Sequence, residues 1–444
     1  MHPAPPPDLE GLRKKLLDGD SRLINGLFAA PGASDLYLPW DKLRYKKPPE
    51  GMTHEEWWLV TKIARTGMRR PVPLQDIDGS SFAYALPDEV LRLLDEITQR
   101  ASGQIAAPEQ VTNPTTRNRY VVSSLIEEAI TSSQLEGAST SRKDAKNMIR
   151  FGTRPRTRSE QMILNNYNAM LFVRENQKEE FSPEIICELH RIVTDDTLDD
   201  PDSAGKIQSD PDPADRVKVY GRDEEILHIP PPVEQLPGRL QRLCDFANEK
   251  DDNSGYVPPV ARALIIHFMA GYDHYFEDGN GRTARALFYW SMLKQGYWLT
   301  EYLTISKILK KAPAKYARSF LLSEQDEGDL TYFIIYHLEV ISRALHELDD
   351  YLARKAEEVR ETRVALSPSG IFNHRQLALI EYAIRNHTGE VTVHSHMRSH
   401  AVAEQTARND LVDLENRGLL NRSKVGRTFV WSPVANLPKK LNRN

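Results

Sequence analysis

The sequence predicts a mainly α-helical fold, with one short β-hairpin inside a helical core and a separate C-terminal module of three helices and two strands. Three observations predict it. Apolar residues recur at helical spacing on both sides of a polar, glycine-punctuated loop at 274–285. Two short alternating runs at 216–229 are typical of a hairpin. The residues from 371 onward carry eleven Lys/Arg against six Asp/Glu, about +5, whereas the whole chain carries −5.

The chain of 444 residues, with 40% hydrophobic and 27% charged residues, is long enough for two or three domains. Residues 1–105 are predicted to form a helical support region whose aromatic side chains pack in a core. The N-terminus lacks the basic and apolar parts of a signal peptide, and no run of 18 apolar residues occurs, so a cytoplasmic location is expected. Cys187 and Cys244 are the only cysteines, which argues against a disulfide scaffold.

A helix is predicted at 121–137, and its last turn carries an unusual carboxylate. The buried stripe of this helix is Val122, Leu125, Ile126, Ala129, Ile130 and Ser133. Gly137 suits a C-terminal cap. Glu136 opposes the helix dipole, so it would gain from a cationic partner elsewhere in the fold. The alternative is a solvated surface glutamate.

The twelve residues from His274 read His-Tyr-Phe-Glu-Asp-Gly-Asn-Gly-Arg-Thr-Ala-Arg. The two glycines let the backbone turn and approach an anion, and the N-terminus of the following helix adds unpaired N–H donors. Arg282 and Arg285 share one helix face, where guanidinium groups can bind phosphate. Asp278 is a hard oxygen ligand for a Mg²⁺ that arrives with a nucleotide. His274 suits a base near neutral pH, and Asn280 can donate a hydrogen bond to phosphate.

This segment resembles the signature of the Fic family, His-x-Phe-x-Asp/Glu-Gly-Asn-Gly-Arg-x-x-Arg. Every fixed position is matched, namely His274, Phe276, Asp278, Gly279, Asn280, Gly281, Arg282 and Arg285. Family members usually carry proline after the histidine, where this chain has Tyr275, and a small change in loop rigidity is expected. The resemblance implies a Fic domain at 106–352 that transfers AMP from ATP, with Mg²⁺, to a Ser, Thr or Tyr hydroxyl of a target protein.

The resemblance also implies a role for each residue. His274 would be the base, Asp278 the metal ligand, and Arg285 the γ-phosphate ligand. The phosphate cradle would be Gly279, Asn280, Gly281 and Arg282. The stretch Ser132-x-x-x-Glu136-Gly137 resembles the family's inhibitory motif, in which the glutamate pairs with the second arginine and displaces the γ-phosphate.

The hairpin at 216–229 resembles the family's flap, whose exposed edge pairs with the target segment. The edge residues would be Val217, Lys218, Val219 and Tyr220. The alternative is an ordinary surface hairpin.

Tyr316 occupies the first of two tyrosine positions that close over adenine in the family, although the second is Ala317 and Asp326 stands where asparagine is frequent. A tyrosine that packs in the core is the equal alternative.

A linker at 353–369 is predicted to precede a module at 370–434. Its third helix and exit, with a wing of two strands, resemble bacterial winged helix-turn-helix domains. Gln405, Arg408 and Asn409 would face outward, and DNA would bind through 404–427. Protein docking or a homodimer through the same module stays open. A zinc site is discounted, because nothing completes a tetrahedral set with His394, His396 and His400.

Two other functions stay open. The same site would remove AMP from a modified protein if Glu136 oriented a water molecule. Alternatively, the chain would be a DNA-binding regulator whose Fic domain senses nucleotide.

Overall fold

The computed structural model describes residues 2–29, 37–102, 114–209, 216–221, 224–250, 255–366, 372–385, 389–400, 402–425, 428–434, 437 and 440. The chain divides into two compact units, Met1–Leu348 and Asp349–Asn444. The predicted mainly α-helical fold is confirmed. None of the described helices combines the length and the apolar character that a membrane crossing requires.

The described residues form helices over most of the chain. Their bounds are α1 Glu10–Leu17, α2 Ser21–Ala29, α3 Trp40–Leu43, α4 His54–Thr66, α5 Asp88–Ala101, α6 Pro114–Leu135, α7 Arg142–Phe151, α8 Arg158–Glu175, α9 Pro183–Thr194, α10 Leu236–Ala247, α11 Pro259–Asp273, α12 Asn280–Lys294, α13 Ile305–Lys311, α14 Pro313–Gln325, α15 Thr331–Leu366, α16 His374–Arg385, α17 Val393–His400 and α18 Glu404–Asn416. Three antiparallel hairpins pair β1 Arg70–Gln75 with β2 Ser81–Tyr84, β3 Val219–Tyr220 with β4 Ile226–His228, and β5 Leu420–Val425 with β6 Thr428–Pro433.

The hairpin of β1 and β2 was not predicted for the N-terminal support region. Pro71 and Pro73 lie in β1, and proline removes a donor that a strand uses in pairing, so the sequence argued against a strand here. The pairing is irregular between Pro71 and Gln75. The other strand contacts the connection before α15, where the Ala83 N–H donates to Gly328 O and the Leu330 N–H donates to Ala83 O. The N-terminal region is therefore part of the first unit's fold.

The core of the first unit is formed by α11 and α12. Val260, Leu264 and Phe268 of α11 are buried, as are Leu287 and Phe288 of α12. The helix-loop-helix arrangement predicted around residues 274–285 is confirmed. Because both helices are surrounded by apolar contacts, the loop between them has a fixed base.

The helix α6 packs against this core through Ile126 and Ile130, which belong to a cluster with Met148 and Ile163. One residue of the predicted stripe is wrong: Val122 is 37% exposed, and the neighbouring valine at 121 is buried instead. The rest of the stripe, Leu125, Ile126, Ala129, Ile130 and Ser133, is buried. Gly137 has φ 92, the left-handed conformation expected of a residue that ends a helix.

The linker predicted at 353–369 was expected to be irregular. As far as residue 366 this is wrong, because α15 continues through Leu366. Charged residues dominate this stretch, and most of them favour a helix. Ser367 and Pro368, which suggested an irregular connection, lie outside the described residues. The C-terminal module has the predicted order of three helices and a hairpin, and its core includes Leu411, Leu414 and Trp431.

Asp410 joins the helices of this module. Its carboxylate accepts hydrogen bonds from Asn373 Nδ2 at 3.0 Å, Arg375 Nε at 2.7 Å and His396 Nε2 at 3.1 Å. Burial alone raises the pKa of Asp410, but hydrogen bonds from Arg375, Asn373 and His396 lower it to about 2. The stabilisation is therefore complete above the ordinary pKa of 3.8 and is lost as pH falls through about 2.

Asp410→Asn is expected to destabilise the C-terminal module by about 2 kcal/mol, because the hydrogen bonds lose their charged acceptor. The measurement is hydrogen exchange of the α18 amides in the full chain. The control is Glu404→Gln, since Glu404 forms an exposed pair with Arg408 on the same helix and should change stability by less than about 0.5 kcal/mol. Equal exchange in the two variants would contradict the assignment.

Candidate active site

The loop between α11 and α12 is closed by its own asparagine. His274 has left-handed backbone angles, φ 51 and ψ 60, and Gly279 precedes α12 with φ 80. The Phe276 N–H donates to Asn280 Oδ1 at 3.0 Å, and Asn280 Nδ2 donates to Phe276 O at 2.6 Å. Asn280 was expected to donate to phosphate. The structure places its amide on the backbone of Phe276, so the residue shapes the loop.

His190 of α9 packs against the loop, and the sequence did not predict this contact. Its ring stacks on Phe276 with the centroids 3.7 Å apart and the planes 5° from parallel. The Gly205 N–H donates to Nδ1 at 3.0 Å, and Nε2 donates to the Asp278 carbonyl at 2.8 Å. Burial lowers the pKa of His190 to about 4, so a neutral ring fills this position. No local motif marked His190, because its partners come from other parts of the chain.

His274 has the protonation pattern that a general base requires. Its Nδ1 lies 3.1 Å from the Gly271 carbonyl, which can only accept, so the proton of the neutral ring is on Nδ1. The lone pair is therefore on Nε2. Burial lowers the pKa of His274 from 6.5 to about 4, so the ring is neutral at physiological pH.

Tyr275, at the position where proline was expected, takes part in a buried network. Its hydroxyl donates to Asp273 Oδ2 at 2.5 Å, and Asp273 Oδ1 pairs with Arg239 Nε at 2.6 Å. Arg239 also donates to the carbonyls of Gln75 and Asp76. The hydrogen bond from Tyr275 restrains the loop beside His274 where a proline ring is absent.

Arg282 and Arg285 bring buried guanidinium groups to the start of α12. Arg282 Nη1 donates to Val193 O at 2.8 Å, and its Nη2 lies 3.8 Å from Asp278 Oδ2. Within the described residues, Nε and Nη2 of Arg282 and Nη1 of Arg285 make no hydrogen bond. Burial lowers the pKa of Arg282. Buried cationic donors beside a helix N-terminus suit phosphate oxygens.

The predicted contact between Glu136 and Arg285 is present. Arg285 Nη2 donates to Glu136 Oε1 at 2.8 Å, and the side chain of Arg285 is only 4% exposed. Ser132 binds the same guanidinium, because Nε donates to its Oγ at 2.8 Å and Nη2 donates to its carbonyl at 3.1 Å. A Cβ on Gly281 would clash with the carboxylate of Glu136. The carboxylate therefore covers the first turn of α12.

Asp278 lies at the mouth of the same cradle. Its side chain is 52% exposed, and Oδ1 accepts from the Gly279 N–H at 2.5 Å. Its other oxygen faces Arg282 and Arg158 at 3.8 and 3.9 Å. One accessible carboxylate beside a phosphate cradle fits Mg²⁺ bound to a nucleotide, since that ion is usually held by one or two carboxylates and by phosphate oxygens.

Gly279→Ala is expected to cost more stability than the same change at Gly296. Both glycines have positive φ, 80 and 86, where alanine costs about 1–2 kcal/mol. A Cβ on Gly279 would also lie 2.7 Å from Thr194 Cγ2, whereas nothing lies within 4 Å of one on Gly296. We expect a further loss of about 1–3 kcal/mol in urea unfolding. Equal losses of stability in the two variants would contradict the tight fit around Gly279.

The hairpin predicted at 216–229 is present, although its strands are short. Val219 pairs with His228 and Tyr220 with Ile226, whereas Val217 and Lys218 precede the first strand. The hairpin therefore has the expected form, but only the second half of the predicted edge lies in a strand. The tip residues 222–223 lie outside the described part of the chain.

Tyr316 is half-buried and packs against other aromatic side chains. Its hydroxyl lies 2.9 Å from His267 Nε2, and its ring contacts Phe320 and His337. Asp326 is buried and accepts from Lys62 Nζ at 2.7 Å, so it belongs to a core ion pair. The adenine contact predicted for Tyr316 stays a prediction.

The comparisons with known proteins agree with this geometry. Residues 180–292 match the Fic/DOC family, and residues 375–431 match the DeoR-like helix-turn-helix domain. Residues 180–292 are a Fic domain. The Fic domain contains His190 and the whole loop at 274–285, whereas Glu136 precedes it. The C-terminal match agrees with the predicted winged helix-turn-helix module.

Two curated relatives of the Fic domain are named protein adenylyltransferases. Protein adenylyltransferase fic-1 of Caenorhabditis elegans is 33% identical over 131 residues, which are 29% of this chain and 22% of that protein. Protein adenylyltransferase Fic of Drosophila willistoni is 30% identical over 169 residues, 38% of this chain and 29% of that protein. The chain thus matches less than a third of the length of these relatives.

Solved structures include a Fic family protein from Desulfovibrio desulfuricans G20, which is 19% identical with a TM-score of 0.49. That alignment covers 78% of this chain and 96% of the other.

Proposed function

We propose that this protein transfers AMP from ATP to a Ser, Thr or Tyr hydroxyl of a target protein and that Glu136 holds it inactive. The observation that carries the proposal is the 2.8 Å contact of Glu136 with Arg285 above the N-terminus of α12, beside a neutral His274. A carboxylate stands where an anionic phosphate group would bind. The names of the relatives support adenylyl transfer in general.

In this proposal the triphosphate of ATP lies over residues 278–282. Nη1 of Arg285 and Nε and Nη2 of Arg282, which make no hydrogen bond to the described residues, would donate to phosphate oxygens. His274 Nε2 would accept the proton of the target hydroxyl as its oxygen attacks the α-phosphorus. One P–O bond forms, the bond to the β-phosphate breaks, and pyrophosphate leaves in line. Asp278 would hold the Mg²⁺ that accompanies ATP.

The proposed self-inhibition has an electrostatic basis. When Glu136 is in place, its charge neutralises Arg285, and its carboxylate excludes a phosphate oxygen from the same nitrogen. Arg285 would still be held by Ser132 if Glu136 moved away, because two of its three hydrogen bonds go to that residue. Release would therefore need only the movement of one side chain.

The direct test compares ATP labelled on the α-phosphate with ATP labelled on the γ-phosphate. The Glu136→Gly protein is incubated with a cell lysate and with ATP carrying the label on the α-phosphate or on the γ-phosphate. We expect labelled protein from α-labelled ATP alone. Label from the γ-position would indicate phosphoryl transfer instead. Release of AMP from a protein modified beforehand, measured with the wild-type chain that retains Glu136, would favour removal of AMP by water instead.

We also propose that the C-terminal module binds DNA. Gln405, Arg408 and Asn409 are exposed on α18, as base and phosphate contacts require. Arg422 and Lys424 of β5 are exposed too, whereas Arg427 lies outside the described residues. Arg408→Ala should reduce retention of DNA in a gel-shift assay and make binding less sensitive to salt. If neither Arg408→Ala nor added salt changes the retention of DNA, the module does not bind DNA through these side chains, and protein docking is favoured.

A further inference from the structure

His228 connects the flap (residues 216–229) to two helices of the first unit. It ends β4, and its side chain is 9% exposed. Nε2 lies 2.7 Å from the carbonyl oxygen of Tyr272 in α11. Nδ1 lies 2.8 Å from Glu324 Oε2 in α14. One ring thus joins the flap to α11, which ends just before His274, and to α14.

Both partners of His228 can only accept hydrogen bonds. A carbonyl oxygen has no proton to give, and neither has an ionised carboxylate. A neutral imidazole has a single N–H and would satisfy one of the two, whereas an imidazolium satisfies both. In the described part of the chain, Asp273 and His274 interact with the charge of this ring, Tyr272 packs against it and Glu324 contacts it directly, while the Arg216 guanidinium lies on the carbonyls of residues 273 and 274. The contacts are therefore those of a cationic His228.

The flap needs such an attachment because its own pairing is short. The strands have two and three residues, and a two-stranded hairpin is marginally stable by itself. The first strand is attached separately through Arg216, whose Nη2 donates to Asp273 O at 2.7 Å and to His274 O at 3.0 Å. Both sides of the hairpin thus bind consecutive carbonyl groups, those of residues 272, 273 and 274.

We propose that His228 is a positioning residue: as an imidazolium bound to the Tyr272 carbonyl and to Glu324, it fixes the flap edge relative to His274. This His228 anchor rests on the proposed transfer reaction and adds the residue that aligns the target segment with the base. Tyr220 and Ile226 are 57% and 45% exposed, so the outer side of the hairpin stays accessible to a target segment while the inner side is attached.

The anchor also contributes to the state of the base. Burial is the main reason why the pKa of His274 is low, and the nearby positive charge of His228 lowers it further. A cationic His228 therefore favours a neutral ring at residue 274.

The test uses the full chain carrying Glu136→Gly. His228→Gln can satisfy one of the two acceptors, and we expect it to reduce transfer to a protein acceptor about tenfold. ATP affinity and the rate of AMP release, in which water replaces the protein hydroxyl as acceptor, should change less than about twofold. Neither requires a target segment on the flap. The control is His346→Gln, since His346 is 65% exposed on α15.

The partner carboxylate gives a second, more specific comparison. Glu324→Gln supplies an amide N–H to Nδ1 of a neutral ring, so both contacts remain and transfer should stay near the parent value. Glu324→Ala removes the contact and should resemble His228→Gln. The nitrogen resonances of the His228 ring, assigned by difference with His228→Gln, should show both nitrogens protonated at neutral pH in the parent and only one in Glu324→Gln.

Three results would overturn the proposal. The first is unchanged protein transfer in His228→Gln. The second is an equal loss of protein transfer and AMP release, which would place His228 in the chemical step. The third is a neutral His228 ring in the parent. If the parent neither modifies protein nor releases AMP, the proposed function fails, while the ring resonances and hydrogen exchange of residues 219 and 220 still decide the anchor.

Discussion

Replacing His274 by alanine in the Glu136→Gly protein should reduce adenylyl transfer by a factor of about 10²–10⁴, the range for loss of a general base. The expectation depends on the position of one proton. Because Nδ1 is bound to the Gly271 carbonyl, Nε2 is the nitrogen that can accept a proton from a hydroxyl. Alanine leaves the loop without this acceptor, while the guanidinium groups of Arg282 and Arg285 remain.

The measurement is the initial rate of incorporation from α-labelled ATP, with ATP affinity determined in parallel. Affinity should change little, because His274 has no place in the phosphate cradle. His346→Ala is the control for loss of an imidazole at an exposed position. Transfer that persists in the His274 variant would mean that another group, or the hydroxyl alone, supplies the base.

The pH dependence follows from the same side chain. Only the neutral ring is a base, and the neutral form dominates above its pKa of about 4. His274 should therefore cause no change in the transfer rate between pH 6 and pH 8 and should reduce the rate only as pH falls toward about 4. A rate that rises steeply through pH 6.5 with ATP saturating would show that the ring is more accessible to water than the structure indicates.

Glu136→Gly should raise self-modification about 10- to 100-fold, which corresponds to the loss of one charge-assisted hydrogen bond that competes with phosphate. The pair of Glu136 with Arg285 closes the cradle, and its removal leaves Arg285 bound to Ser132. The arginine should therefore be oriented for the γ-phosphate as soon as the carboxylate is absent.

Two companion variants separate charge from backbone flexibility. Glu136→Gln keeps the shape of the side chain but removes its charge, so its rate should fall between those of wild type and Glu136→Gly. Gln134→Gly introduces glycine in the same turn without a contact to Arg285 and should leave the rate unchanged. Equal labelling by wild type and Glu136→Gly would remove the autoinhibition proposal.

The sequence predicted the loop and its contact with Glu136 because both depend on local patterns. Glycines, a histidine and two arginines at fixed spacing define the loop, and a carboxylate in the last turn of a helix suggests a cationic partner. The structure brings Glu136 and Arg285 together as predicted. Long-range packing was harder to predict, since nothing near His190 indicates that its ring stacks on Phe276.

Other differences arise where tertiary contacts override local propensity. Pro71 and Pro73 argue against a strand, yet the segment pairs with β2 as an irregular edge. A carboxamide such as that of Asn280 can bind phosphate, but here it forms two hydrogen bonds with the backbone of Phe276. The charged stretch after residue 353 resembles a linker in composition, whereas it continues a helix through residue 366.

The contact of Arg239 with the carbonyls of Gln75 and Asp76 bears on how this protein can be shortened. Arg239 neutralises Asp273, the residue before His274, so the turn after β1 indirectly supports the backbone at His274. A recombinant fragment limited to 180–292 would lack this turn as well as α6. We expect such a fragment to fold poorly, because buried Arg239 and Arg285 would lose the hydrogen-bond acceptors that lie outside 180–292.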